Sequence, residues 1–100
     1  MSRLLFEPNP KHHGKKRGRI SAQPTNGQEV LDTSVQIRKE SPRRLGVDVM
    51  NREIVIFMQH LPDVFHGFVV DWTDLEPRAQ KILQDLGLVN RRGRILQAKR

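Results

Sequence analysis

Four histidines, His12, His13, His60 and His66, are the side chains of this chain best suited to moving a proton near neutrality, because an imidazole has an unperturbed pKa of about 6.5. His66 is the unusual one. It stands inside "VFHGFVVDW", Val64 to Trp72, which otherwise has the composition of a buried β-strand. Period-two alternation puts it on the strand face of Val64, Phe68 and Val70, where an apolar residue would pack better, so a polar group there needs a reason. It could be a core histidine with satisfied ring nitrogens, a cap on the edge of an apolar patch, or a proton-transfer group.

The rest of the chain favours the chemical alternative. Cutting RNA without a metal requires a base for the ribose 2′ proton, an acid for the leaving 5′ oxygen, and cations for the charged phosphorane. Arg38, Arg43 and Arg44 come from strands expected to neighbour that of His66. Lys11, His12, His13, Lys15, Lys16 and Arg19 form the basic run "KHHGKKRGR", which could fold over a bound phosphate or act only as a phosphate-binding arm. Arg43 and Arg44 could instead pair with Asp48 or Glu53, but exposed pairs contribute only about 0–1 kcal/mol. His66 is therefore the leading acid/base candidate, Arg43 and Arg44 are expected phosphate clamps, and His13 and Lys16 come second. His60 precedes a turn and is expected to face solvent, and Asp71 and Asp74 belong to a helix start.

Other chemistries fit less well. No Gly-rich nucleotide fingerprint follows a strand, and adjacent His12 and His13 without a nearby carboxylate make a poor zinc site. Ser21, Ser34 and Ser41 lack the context of a nucleophile elbow. No metal and no cofactor is expected.

One hundred residues, 36% of them apolar, fit a single small domain with a modest core. The absence of cysteine removes disulfides, thiolate nucleophiles and thiolate metal sites. No apolar run approaches the roughly 20 residues of a membrane span, and the N-terminus lacks a signal-peptide core, so the chain as given is expected to be soluble, with any export instruction outside it. Eighteen Lys and Arg against eleven Asp and Glu leave a net charge of +7, which favours a polyanionic partner. The excess sits in Lys11–Arg19, in "RRLG" and in "NRRGRILQAKR", while Met50 to Leu88 is close to neutral or acidic.

The elements that must position these residues can be read in order. Pro8, Pro10, Pro24 and recurrent glycines mark residues 1–25 as a basic, flexible segment, with 26–100 as one α+β domain. "NGQEVLD" suggests a short helix. "SVQIRKE" and "RRLGVDVM" alternate as half-buried strands, the second sending Leu45, Val47 and Val49 to one face and Arg44, Asp48 and Met50 to the other. Asn51 supplies a left-handed hairpin residue. "EIVIFMQH" and "VFHGFVVDW" are apolar on both faces, as central strands should be, and "LPD" turns between them. Four antiparallel strands in a meander follow. Thr73 and Glu76 form a Thr-x-x-Glu capping box, with Pro77 early enough to be tolerated, and Leu75, Ala79, Ile82, Leu83 and Leu86 give the apolar stripe of one amphipathic helix that Gly87 ends. Leu88, Val89, Ile95 and Leu96 pack back as a last short segment.

The succession "KHHGKKRGRISAQPTNGQEVLDTSVQIRKESPRRLGVDVMNREIVIF", "VFHGFVVDWTDL" and "LGLVNRRGRI" resembles the polymorphic toxin type 17 domain, a C-terminal toxin module of bacterial secreted effectors. The resemblance implies a small metal-independent endoribonuclease of the barnase, EndoU, colicin and RelE group, with a short helical region before an antiparallel sheet and a 2′,3′-cyclic phosphate as product. It places His66, Arg43, Arg44 and the Lys11–Arg19 segment at the site. Relatives read His-Gly-His where this chain has His66, Gly67 and Phe68, so His13 or a lysine takes the second role, or His66 works with arginines. It also implies RNA as substrate, an acidic immunity protein as partner, a monomer when free, and delivery from the producing bacterium into a target-cell cytoplasm. The alternative is a non-catalytic nucleic-acid-binding module in which His66 only packs. A group-transfer toxin would need a small-molecule pocket that the pattern does not offer.

Overall fold

The computed structural model describes residues 3–8 and 22–96. Five strands form one sheet in the order β1-β5-β4-β3-β2, with β1 Leu5–Phe6, β2 Val35–Gln36, β3 Arg44–Asp48, β4 Glu53–Leu61 and β5 Val64–Val70. Helix α1, Gly27–Asp32, precedes β2, and helix α2, Pro77–Asp85, follows the sheet. The α+β class is as expected. The meander β2 to β5 is antiparallel throughout, and β1 adds a fifth, parallel edge strand in a region whose composition suggested loop. No helix among the described residues is long and apolar enough to cross a membrane.

Alternation along β3, β4 and β5 divides the core in two. On one face Leu45, Ile54, Ile56 and Val70 pack with Ile37, with Ala79 and Leu83 of α2, and with Val89 and Ile95. On the other, Val55, Phe57 and Phe65 pack with Val30 and Leu31 of α1, and Leu4 and Phe6 close that side. Phe57 is fully buried, and a Cβ on Gly67 would meet its ring at 2.8 Å, so the glycine beside His66 makes room for the largest side chain of the core. The central strands are thus covered on both faces, as their sequence implied, but only as far as Phe57. The last four residues of β4 are exposed.

β1 is short but well tied. Leu5 N–H donates to the Asp63 carbonyl at 2.7 Å and Glu7 N–H to the Phe65 carbonyl at 2.9 Å. Gln28 of α1 clamps the same segment, accepting from Phe6 N–H at 2.8 Å and donating to the Leu4 carbonyl at 2.9 Å.

Three local expectations need correction. Helix α2 starts at Pro77, because a residue before proline is driven to extended backbone and Glu76 adopts ψ 156°. Trp72–Asp74 form a separate 3-10 turn, and Glu76 spends its carboxylate on Arg38 rather than on a capping box. In the β3-β4 hairpin the left-handed residue is Arg52, at φ 55°, not Asn51. Asn51 instead donates its backbone N–H and its Nδ2 to the Asp48 carboxylate at 3.0 and 2.9 Å.

Asp48 is one of the two buried polar residues among those described. Desolvation pushes its pKa up, but hydrogen bonds from Asn51, Asn26 and the Met50 backbone outweigh it, and the carboxyl is held below the ordinary aspartate value. A depressed folded-state pKa stabilises above the unfolded value and loses that contribution as pH falls through the folded one. Asp48→Ala is therefore expected to cost about 1–3 kcal/mol at pH 7, measured by denaturant unfolding. The gap from the parent should close as the pH drops below the normal aspartate range, and a pH-independent gap would contradict this account.

Candidate functional site

The strand register composes a row of side chains across one face of the sheet. His66 lies opposite Met58, and Phe57 opposite Arg44, which places Arg43 opposite Met58. On the other side of β5, Phe6 pairs with Phe65, which brings Glu7 beside His66. Glu7, His66, Met58 and Arg43 therefore succeed one another on the face that α2 partly covers. Arg43 stands two strands from His66, about 10 Å away.

A second imidazole joins this row. The ladder between β4 and β5 is irregular between Gln59 and Leu61, at the end of the hairpin closed by Pro62 and Asp63. There the His60 ring lies on the His66 ring, centroids 4.4 Å apart and planes 18° from parallel. His66 Nε2 is 3.4 Å from Glu7 Oε1, with the His66 side chain 17% exposed and that of Glu7 55%. The separation is just beyond an ideal hydrogen bond. Sequence reasoning expected His60 in solvent, and it is exposed. Its stacking on His66 occurs at the irregular pairing, which no local pattern announces.

The sheet separates the two arginines of "SPRR". Arg43 is exposed on the His66 face. Arg44 points to the opposite face, where its Nε donates to Ser34 Oγ and its Nη2 to the Ser34 carbonyl, both at 2.7 Å. Neither arginine takes Asp48 or Glu53 as its partner: Asp48 holds the hairpin, and Glu53 accepts from Thr25. Arg44→Ala is expected to destabilise by about 1–3 kcal/mol, because buried Ser34 loses its donors. Arg43→Ala should fall within about 0.5 kcal/mol of the parent in the same thermal melts. Equal losses would mean that Arg43 is structural too.

Arg38 is held by Glu76, Nη1 to Oε2 at 2.9 Å and Nη2 to Oε1 at 2.8 Å. The Arg38 hydrogen bond is the main reason the Glu76 pKa is lowered; Arg43 and Arg78 add to it, and partial burial opposes it. Arg38 holds the Glu76 carboxylate, and the charges of Arg43 and Arg78 are near enough to be felt there, which leaves an excess of positive charge around it. Arg78, which also donates to the Ile37 carbonyl at 3.0 Å, was not foreseen; only the strand register brings α2 to Arg43.

The remaining basic clusters lie elsewhere. Asn90 Oδ1 accepts the N–H groups of Arg92 and Arg94, and the turn they form packs at Gly93 on Trp72, past the end of β5 opposite to His66 and roughly 20 Å away. Lys11, His12, His13, Lys15, Lys16 and Arg19 lie outside the described residues.

No protein-family model and no curated protein matches the chain. A solved structure does. A chain in the crystal structure of the CDI complex from Cupriavidus taiwanensis LMG 19424 is 46% identical, with a TM-score of 0.70, over 72% of this chain and 97% of that one.

Proposed function

We propose, because this chain belongs to the family of contact-dependent inhibition (CDI) toxin and immunity proteins that the Cupriavidus taiwanensis complex represents, that it is a toxin domain and that it cuts RNA by acid/base chemistry. The observation that carries this is the cluster of Glu7, His66 and His60, with Arg43 on the same sheet face. Two imidazoles and a carboxylate supply a base and an acid, and the arginines supply charge for a phosphate.

In this scheme His66 takes the proton from a ribose 2′ hydroxyl, whose oxygen attacks the adjacent phosphorus. Glu7 favours that role, since a neighbouring carboxylate stabilises the imidazolium that forms. His60, exposed at the hairpin end, gives its proton to the 5′ oxygen as the P–O5′ bond breaks, which leaves a 2′,3′-cyclic phosphate and a free 5′ hydroxyl. Arg43 binds a phosphate across Met58, while Arg38 and Arg78, engaged with Glu76 and the Ile37 carbonyl, add positive charge beyond it. The net charge of +7 suits both an RNA substrate and an acidic immunity protein that covers the site. Delivery into a target cell follows from the family, and the RNA would be met in that cell's cytoplasm.

The test is incubation of purified protein with total bacterial RNA in EDTA, with end-group typing of the fragments. Fragments ending in 2′,3′-cyclic phosphate, produced more slowly by Arg43→Ala, support the scheme. Cleavage that stops in EDTA would replace it with a metal-dependent one. Intact RNA together with tight, salt-sensitive binding would make the protein a nucleic-acid-binding module.

A further inference from the structure

We propose that Glu7, His60 and His66 form a binding site for a late first-row divalent metal ion of the Zn2+ type, and that the bound ion blocks rather than performs the RNA chemistry. The inhibitory half rests on the ribonuclease assignment; the site itself does not.

Among the described residues, these three are the group of His, Cys, Asp or Glu side chains able to hold a metal ion together, with ligand atoms all within 4.8 Å of one another. Zinc takes imidazole nitrogen and carboxylate oxygen at about 2.0–2.2 Å, so ligand atoms in a tetrahedral site sit roughly 3.3–3.5 Å apart. His66 Nε2 and Glu7 Oε1 are already at 3.4 Å. The third ligand has up to about 1.5 Å to close on that geometry. Glu7 and His60 are both exposed, and neither is locked by core packing. The stack sets the two rings face to face, centroids 4.4 Å apart, so binding requires one ring to tilt and the stack to open. Two histidines and one carboxylate select zinc and its late first-row neighbours over magnesium and calcium, which prefer all-oxygen shells.

The inhibitory sense follows from what the ion would consume. A ring nitrogen whose lone pair is on a metal neither accepts nor delivers a proton. Coordination takes His66, His60 and Glu7 together, and among the described residues the cluster contains no fourth His, Cys, Asp or Glu to serve as a base for metal-bound water. Zinc enzymes keep a separate residue for that purpose in motifs such as His-Glu-x-x-His.

Two measurements on the whole chain test this. Zn2+ titration calorimetry and the visible absorption of added Co2+, both without RNA, report binding in the parent protein and in Glu7→Gln, His60→Ala and His66→Ala, with His66→Gln as a milder variant should alanine unfold. RNA cleavage by the parent is then followed as Zn2+ is added and removed with EDTA. We expect one ion per chain, affinity lowered about tenfold or more in each variant, and cleavage that falls with occupancy and returns with EDTA. Binding equal in all variants, or lost only when His12 and His13 are replaced, would overturn the site. Cleavage that rises with zinc would overturn the inhibition. If RNA stays intact under every condition, the ribonuclease assignment fails, and with it the inhibitory half, while calorimetry still decides the site.

Discussion

His66→Ala is expected to lower the rate of the proposed RNA cleavage by a factor of about 10²–10⁴, the usual worth of a positioned general base, while leaving the fold in place. The side chain is partly exposed, and its ring stacks on His60 and faces Glu7, both exposed, so thermal melts should move little. His60→Ala is expected to give a loss of similar size, because stacked rings at 4.4 Å serve one phosphodiester and not two. The double variant should then lose far less than the product of the single losses, as residues that act as a unit do. Single-turnover assays on a short RNA, with the salt held constant, measure all three. Full activity in His66→Ala would remove this residue from the chemistry, whatever the fate of the others.

The second large effect concerns stability. Phe57→Ala is expected to cost about 3–5 kcal/mol, a large share of the roughly 5–15 kcal/mol that holds a domain together. Phe57 is fully buried, lies over Gly67, and meets the Phe6 ring edge-on with centroids 6.2 Å apart at 82°. Its loss therefore loosens β1 and with it Glu7, so cleavage per folded molecule should fall as well. Phe57→Leu, closer in volume, should cost well under half as much. Denaturant unfolding of the three proteins checks the order, and a Phe57→Ala variant as stable as the parent would mean that the face under α1 is not part of the cooperative core.

The distance between sequence and site can be traced residue by residue. The face of His66 was legible, because alternation from Val64 to Val70 needs no tertiary information. The difference between Arg43 and Arg44 was partly legible: the alternation that sends Leu45 and Val47 inward carries Arg43 with them and Arg44 away. Only the pairing of β3 with β4 and of β4 with β5 shows that this inward face is the one His66 occupies. Glu7 was not legible. A two-residue strand has no period, and its partner lies 59 residues away. The start of α2 was misjudged because Thr73 and Glu76 have capping-box spacing while Pro77 dictates the backbone before it. Arg78 was missed for the same reason as Glu7: what it approaches is set by packing across the sheet.

The brevity of β1 makes competence for the reaction a matter of local stability. A two-residue ladder at a sheet edge opens at a lower free energy than the β4-β5 hairpin, so the edge frays while the rest of the sheet stays intact. In the frayed state the carboxylate of Glu7 leaves His66, and the proposed site loses one of its three members. What opposes fraying is Gln28 of α1, which holds the Leu4 carbonyl and the Phe6 N–H on either side of Leu5, together with the Phe6 ring wedged against Gly27 and Phe57. Amide exchange at Leu5 and Glu7 thus reports the fraction of molecules in which the proposed site is complete, and a helix on the far side of the sheet sets that fraction from a distance.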